Sequence, residues 1–141
     1  MRLPPTVLVV DGDAKDRQSL CDFLAGMGYR LAAVPDGPQG LEIVGRLLPD
    51  LIVCDVALPG KSGLSVLESV KAMPKPIPMI ILASVGGPAL RSLALLLGAD
   101  AFFRKPVSMN RMLEVISRLC PPSVPDSHTG QLESTLANVG S

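Results

Sequence analysis

Short apolar runs alternate along the chain with longer stretches in which apolar residues recur at helical spacing. The short runs are typical of buried strands, and the amphipathic stretches, about ten to fifteen residues long, are typical of helices. Strands are predicted near residues 6–10, 30–34, 51–54, 78–82 and 100–103. Helices are predicted near residues 14–27, 37–48, 63–73, 87–97 and 108–119. Asp13 and Ser108 are the expected N-caps of the first and last helices.

Five consecutive βα units with short connections predict an α/β fold. Right-handed crossovers between parallel strands place helices on both faces of the sheet. We therefore expect a (βα)5 flavodoxin-like fold, in which a five-stranded parallel sheet has the strand order 2-1-3-4-5. From Pro121 onward the chain is rich in Pro, Ser, Thr and Gly and has no periodic apolar face. This change predicts a folded domain over residues 1–120 and a flexible tail or linker over residues 121–141.

The overall charge is balanced, with 13 Lys and Arg residues and 13 Asp and Glu residues among 141. We therefore expect no direct nucleic-acid binding by residues 1–120 and no membrane binding. The N-terminal residues lack the pattern of a signal peptide, and no apolar stretch reaches membrane-spanning length. The cysteines lack CxxC spacing, which predicts free thiols at Cys21, Cys54 and Cys120. These features predict a cytoplasmic protein of bacterial type.

The most informative residue is Asp55, a carboxylate at the end of the apolar run 51–54. A strand that is apolar at every position is buried on both faces, so the acid that ends it lies at the C-terminal edge of the sheet. Asp11 follows the first strand in the same way, and Lys105 follows the fifth. We expect the three side chains to converge. A charge after four buried positions costs folding energy unless something binds it, which favours a functional role for Asp55.

Simpler interpretations exist for the other residues of this edge. Asp11 alone is as compatible with a loop cap as with a functional site. Lys105 alone is compatible with a solvated surface lysine, although its position opposite two acids favours a role in the site. Pro59 and Gly63 are compatible with ordinary turns.

Several motifs nevertheless resemble, in order and spacing, those of the receiver domain of two-component response regulators. The resemblance covers roughly residues 6 to 119. The segment Asp55-x-x-x-Pro59-x-x-x-Gly63 resembles the family's phosphoacceptor segment. The segment Gly98-Ala99-Asp100-Ala101-Phe102 resembles the entry to the fifth strand. The pair Lys105-Pro106 resembles the family's lysine and cis-proline.

The resemblance implies a role for each residue of the edge. Asp55 would be the nucleophile that accepts a phosphoryl group, and also a ligand of Mg²⁺. Asp11 and the carbonyl of Ala57 would complete the protein's share of the metal ligands, while Lys105 would pair with a phosphoryl oxygen. A cis peptide bond before Pro106 would aim the lysine inward. A divalent cation is needed because it neutralises the repulsion between the attacking carboxylate and the phosphoryl group.

Gly12 departs from the family pattern, since receivers usually carry a second consecutive acid at this position. The change removes one carboxylate from the expected metal shell, so we expect weaker Mg²⁺ binding. The next acid is Asp13, and two interpretations of it stay open. It caps the first helix, or the glycine allows the loop to re-aim it toward the metal, directly or through water.

A second departure lies at the end of the fourth strand, where Ala83 replaces the family's Thr or Ser hydroxyl. That hydroxyl would bond the phosphoryl group, and its loss removes a hydrogen bond worth on the order of 1.5 to 3 kcal/mol. Ser84 follows one residue late, and in a continuing strand its side chain would face the opposite way. Phe102 occupies the aromatic switch position but has no hydroxyl. We expect weakened coupling with the nucleophile retained.

The segment Ala89–Leu97 is more apolar than a half-exposed helix requires. One interpretation is a helix that packs tightly at both ends. The other is an apolar patch on the face of the fourth helix, fifth strand and fifth helix, used for homodimer formation or partner docking.

Three classes of function are compatible with these features. The first is a phosphoacceptor receiver that takes a phosphoryl group on Asp55 from a histidine kinase or a phosphotransfer protein. Such a module is not otherwise an enzyme, although it catalyses its own phosphorylation and dephosphorylation. The second is a pseudo-receiver that binds partners without phosphorylation. The third, a flavin or nucleotide-binding enzyme, is disfavoured because no glycine-rich loop follows the first strand and the sole histidine is His128 in the tail.

Overall fold

The structure is a computed structural model, and it describes residues 3–122. The prediction of a flexible tail or linker therefore falls, apart from its first two residues, outside the described part of the chain. Five strands and five helices alternate along the sequence. The strands are β1 (Thr6–Val10), β2 (Arg30–Val34), β3 (Leu51–Asp55), β4 (Met79–Ala83) and β5 (Ala101–Arg104). The helices are α1 (Ala14–Gly26), α2 (Gly37–Leu47), α3 (Gly63–Lys71), α4 (Pro88–Leu96) and α5 (Met109–Leu119).

The strands form one parallel sheet in the order β2-β1-β3-β4-β5, which confirms the predicted (βα)5 flavodoxin-like fold. Alternate residues of each central strand point to opposite faces of the sheet. In β1, Leu8 and Val10 pack in the hydrophobic cluster with residues of α2, α3 and α4, while Val7 and Val9 pack with residues of α1 and α5. Both faces are therefore covered, and charged residues are found at the strand ends.

The ends of the elements agree with the predicted ranges to within two residues. Asp13 accepts a hydrogen bond from the backbone N–H of Asp16, and Ser108 accepts one from that of Arg111. The two predicted N-caps are thus confirmed. Each supplies an acceptor to an N–H group that the first turn of a helix leaves without a partner.

The interpretation of α4 as a tightly packed helix is wrong. Ala94 is the one residue of α4 that is fully buried, although Leu90 lies partly buried against the core. Leu93, Leu95 and Leu96 are exposed, and Leu96 retains 83% of its accessible surface. The helix therefore presents several apolar side chains to solvent.

The three cysteines are free thiols, as predicted. Cys54 and Cys120 are buried, and burial raises the pKa of both thiols, that of Cys120 to about 11. Cys21 is partly buried, and its pKa is raised for the same reason. The longest described helix has 13 residues, and none in residues 3–122 has both the length and the apolar character of a membrane span.

Candidate phosphoacceptor site

The parallel sheet brings three of the predicted site side chains to its C-terminal edge. Asp11 directly follows β1, Asp55 ends the neighbouring strand β3, and Lys105 directly follows β5. The Nζ atom of Lys105 lies 2.8 Å from Oδ2 of Asp11 and 3.1 Å from Oδ2 of Asp55. The convergence expected from the strand ends is therefore present. Lys105 reaches across the end of β4 to meet both acids.

Asp16 is a third acid at Lys105, and the sequence reasoning missed it. Its Oδ2 atom lies 2.9 Å from Nζ of Lys105, although half of the Asp16 side chain is exposed. Asp16 lies in the first turn of α1, three residues after the N-cap Asp13. Its place in the first turn of α1 could have indicated this contact, because the first turn of the helix that follows β1 lies over the same edge of the sheet.

Asp11 and Asp55 are almost completely buried, with 1% and 5% of their surfaces accessible. Burial raises the pKa of Asp55, and the negative charge of Asp11 acts in the same direction, whereas the hydrogen bond and charge of Lys105 lower it only in part. Burial alone would lower the pKa of Lys105. Its hydrogen bonds to Asp11, Asp16 and Asp55 outweigh that effect and raise it. Lys105 is therefore firmly protonated at neutral pH.

The two oxygens of Asp55 have different surroundings. Oδ2 accepts a hydrogen bond from Lys105, whereas Oδ1 is buried and has no hydrogen-bond partner among the described residues. The backbone N–H of Ala57 helps to lower the pKa of Asp55, but it does not complete a hydrogen bond to Oδ1. A buried carboxylate oxygen without a partner is costly, on the order of 1 to 3 kcal/mol. Such an atom is available to a cation or to an electrophile.

The loop that follows Asp55 requires a glycine at its far end. A Cβ atom on Gly63 would lie 2.1 Å from the carbonyl oxygen of Asp55. The backbone N–H of Gly63 donates to the carbonyl of Val56 at 2.9 Å, which brings α3 against the loop. Gly63 is therefore more than a simple turn residue. On the opposite side of the site, the peptide bond between Lys105 and Pro106 is cis.

The Asp13 carboxylate does not join the acids around Lys105. It is exposed and caps α1, and its hydrogen bond with the backbone N–H of Asp16 lowers its pKa. Its own backbone N–H donates to Oδ1 of Asp11 at 2.9 Å, which orients the Asp11 carboxylate. In this structure Asp13 therefore acts on the site through its backbone, and its side chain stabilises the helix.

Gly12 lies in the loop between Asp11 and α1, close to the loop that follows Asp55. A Cβ atom built on Gly12 would lie 3.9 Å from the carbonyl oxygen of Ala57 and 3.3 Å from Cδ of Pro59. A side chain at this position would thus start beside the Ala57 carbonyl, with a small displacement of the proline ring.

The residues at the ends of β4 and β5 offer no hydroxyl to the site. Ala83 is the buried last residue of β4, and its carbonyl accepts a hydrogen bond from the backbone N–H of Lys105 at 2.9 Å. Ser84 lies beyond the strand, exposed to solvent, and makes no hydrogen bond with Asp11, Asp55 or Lys105. Phe102 is buried in the core and faces inward.

The donor set is suited to a hard divalent cation, but it is small. Asp11, Asp55 and the Ala57 carbonyl are oxygen donors, and the buried Oδ1 of Asp55 is unpartnered. No group of three or more His, Cys, Asp or Glu side chains in residues 3–122 is arranged to hold a metal. Mg²⁺ typically uses one or two carboxylates and keeps several waters. The residues therefore fit Mg²⁺ held by few protein ligands.

The fold and the site together define a doubly wound α/β domain with one buried acid pair and a facing lysine. Residues 7–117 match the family model described as the response regulator receiver domain. The chain therefore belongs to the response regulator receiver domain family of two-component signalling, whose members are typically signalling domains and not enzymes.

Individual relatives are similar over most of the chain. The response regulator MprA of Mycolicibacterium vanbaalenii is 30% identical over 129 residues, which are 92% of this chain and 56% of that protein. The regulator of RpoS of Escherichia coli is 29% identical over 128 residues, 90% of this chain and 38% of that protein. The chain thus spans about half or less of the length of these curated relatives.

A solved structure supports the same family assignment. The receiver domain of a Francisella response regulator is 27% identical and superposes with a TM-score of 0.77, covering 82% of this chain and 95% of that domain. The similarity therefore extends over almost the whole of that receiver domain.

Proposed function

We propose that this chain accepts a phosphoryl group on Asp55 from a histidine kinase or a phosphotransfer protein. The observation that carries the proposal is the asymmetry of the Asp55 carboxylate. Lys105 binds Oδ2, whereas the buried Oδ1 has no hydrogen-bond partner among residues 3–122. A carboxylate held in this way is oriented and retains lone pairs for attack.

The transfer would proceed at the carboxylate of Asp55. One of its oxygens forms a bond to phosphorus while the bond from phosphorus to the donor's imidazole nitrogen breaks, and the imidazole keeps the electron pair. Lys105 is held at Asp11, Asp16 and Asp55, and it would pair with an oxygen of the transferred group. Later attack by water at phosphorus would release inorganic phosphate and restore the carboxylate.

Asp11, Asp55 and the Ala57 carbonyl are the residues that would hold Mg²⁺. When bound, the cation supplies charge neutralisation between the carboxylate and the phosphoryl group. With Gly12 in place of an acid, the site's metal affinity would be low for a receiver.

Intact mass spectrometry after incubation with Mg²⁺ and acetyl phosphate tests the proposal. We expect the wild type to gain one phosphoryl group, and we expect no gain in Asp55→Asn or after chelation. An unmodified wild type, shown to be folded and compared with an ordinary receiver labelled in parallel, would instead support a pseudo-receiver that binds partners without phosphorylation.

A further inference from the structure

Lys105 is shared among three carboxylates, of which two are buried and one is exposed. Its Nζ atom donates to Oδ2 of Asp11 at 2.8 Å, of Asp16 at 2.9 Å and of Asp55 at 3.1 Å. An ammonium group has three N–H donors, so these bonds use all of them. The side chains of Asp11 and Asp55 are 2% and 7% exposed, whereas that of Asp16 is 50% exposed. The lysine is therefore fixed where the buried acid pair meets the first turn of α1.

The two buried acids would have to serve two cations at once. Asp11 and Asp55 are the carboxylates that would hold Mg²⁺, and they are also partners of Lys105. With the cation bound, the two negative charges of the pair would face three positive charges, two on the cation and one on the ammonium. Like charges at this separation repel each other strongly where water is excluded. The acid pair alone would therefore hold Lys105 weakly in the metal-bound state.

Asp16 is placed to balance this charge. It bonds Lys105 from α1, and with it three negative charges face the three positive ones. Two further hydrogen bonds hold this end of α1 against the site. Arg17 donates to the backbone carbonyl of Asp11 at 2.8 Å, and the backbone N–H of Asp13 donates to Oδ1 of Asp11 at 2.9 Å. The first turn therefore keeps the Asp16 carboxylate within reach of the ammonium.

Packing does not hold the lysine in place by itself. A cavity of about 60 Å³ lies beside the ion pair of Asp16 and Lys105, between α1 and α5. Its apolar lining consists of Leu20, Leu82, Val107, Met109 and Met112. Methionine side chains adapt readily to a neighbour that moves. The ammonium therefore has room to withdraw from the acid pair, and its hydrogen bonds are what keep it there.

We propose that Asp16 is a positioning residue that keeps Lys105 at the Asp55 carboxylate while Mg²⁺ is bound. The proposal rests on the function proposed above, since it concerns the same site in its metal-bound state. Asp16 supplies the charge that lets the ammonium and the cation share one buried acid pair. It acts on the transferred group through Lys105.

Nuclear magnetic resonance of the Lys105 ammonium group tests this role without phosphorylation. A lysine Nζ group gives a ¹⁵N–¹H signal when hydrogen bonds slow its exchange with water, and Lys105→Arg identifies the signal. We expect the signal in the wild type both without Mg²⁺ and at saturating Mg²⁺. In Asp16→Asn we expect it without Mg²⁺ and expect its loss at saturating Mg²⁺.

Asp13→Asn is the matched control for this measurement. It removes an exposed charge from the same end of α1, but the Asp13 side chain does not bond Lys105, and Asn caps a helix as well as Asp does. The Lys105 signal of this variant should therefore respond to Mg²⁺ as that of the wild type does. A loss like that in Asp16→Asn would show that nearby charge matters and contact does not.

Phosphorylation by acetyl phosphate at saturating Mg²⁺ measures the consequence for the reaction. We expect intact mass spectrometry to show slower labelling of Asp16→Asn than of the wild type, by about twofold to fivefold, the usual effect of one partly exposed ion pair. Asp16→Glu restores the charge on a longer side chain and should recover part of the rate.

Several results would overturn the role of Asp16. One is a wild type that lacks the Lys105 signal with or without Mg²⁺, and another is a signal that persists in Asp16→Asn at saturating Mg²⁺. A third is equal or faster labelling of Asp16→Asn, since Asp16 would then compete with the transferred group for Lys105. Failure of the proposed phosphoacceptor function looks different, because the wild type would stay unlabelled while the ammonium signals still report on Asp16.

Discussion

Asp16 is joined to Lys105 by an ion pair of 2.9 Å, and this contact adds a third carboxylate to the lysine that already bridges Asp11 and Asp55. The four charges sum to two negative charges at the edge of the sheet. We infer that Asp16 thereby offsets part of the negative charge that an acid in place of Gly12 would supply. The compensation is electrostatic, since Asp16 reaches the site from the first turn of α1.

Replacing Asp16 by Asn should therefore weaken Mg²⁺ binding. The loss of one charge near the site reduces the attraction for a divalent cation, and we expect the affinity to fall by about threefold to tenfold, the effect of roughly 1 kcal/mol. Because the chain has no Trp, calorimetry or amide chemical shifts are the suitable measurements. Asp22→Asn is the matched control, as an exposed acid further along α1. Equal Mg²⁺ affinity in both variants would contradict the compensation by Asp16.

Gly12→Asp should strengthen Mg²⁺ binding by supplying a carboxylate beside the Ala57 carbonyl. We expect at least a tenfold gain in affinity, since each additional charged ligand strengthens a hard-cation site. The isosteric variant Gly12→Asn has the same contact with Pro59, where a Cβ atom lies 3.3 Å from Cδ, but it carries no charge. A comparable gain in both variants would mean that the charge of the new side chain is not the cause.

Ala83→Thr should increase the fraction of protein that stays phosphorylated. The new hydroxyl would donate to the phosphoryl group, a charge-assisted hydrogen bond worth on the order of 1.5 to 3 kcal/mol. Ala83 is buried, so a larger side chain also crowds the core. In Ala83→Val the new side chain has the shape of Thr without its hydroxyl, so this variant separates the effect of the hydrogen bond from that of crowding. The measurement is the decay of phosphoprotein by intact mass, and identical decay of the Thr and Val variants would count against the missing hydroxyl.

The raised pKa of Asp55 predicts how stability depends on pH. The folded protein holds the Asp55 proton more tightly than the unfolded chain, whose reference pKa is 3.8. Ionised Asp55 therefore opposes folding, and stability falls as the pH rises through the folded-state pKa. Asp55→Asn removes this penalty. We expect the variant to exceed the wild type in free energy of unfolding near pH 8.

The difference between Asp55→Asn and the wild type should shrink as the pH falls through the raised folded-state pKa toward the reference value of 3.8, because the wild-type carboxyl becomes protonated over that range. Urea denaturation of the metal-free proteins at both pH values is the check. A variant less stable than the wild type at pH 8 would show that the ion pair with Lys105 outweighs the cost of burial.

Some parts of the site could be predicted from the sequence because the ends of parallel strands are easy to locate. Asp55 and Lys105 end or follow strands of a parallel sheet, and parallel strands bring their carboxyl ends to one edge. Asp16 could not be placed in the same way. Only Leu20 and Leu24 of α1 are fully buried, so the apolar pattern of that helix does not fix which polar residues turn toward the sheet edge.

The sequence also left open how many apolar residues of α4 are exposed to solvent. Its composition sets how many apolar residues are available, but the sheet and the neighbouring helices determine how many are covered. Ala94 alone is fully buried, and Leu96 is almost fully exposed. The direction of the Ser84 side chain was equally hard to predict, because it depends on the residue at which β4 ends.

Borohydride reduction of the labelled protein would locate the phosphoryl group. Reduction converts an aspartyl phosphate to homoserine, which peptide mass spectrometry assigns to a position in the chain. We predict homoserine at position 55 in the wild type treated with acetyl phosphate and Mg²⁺, and at no position in Asp55→Asn. Labelling confined to another acid, such as Asp11 or Asp16, or an unlabelled Asp55 in the folded protein, would contradict the assignment of Asp55 as the phosphoacceptor.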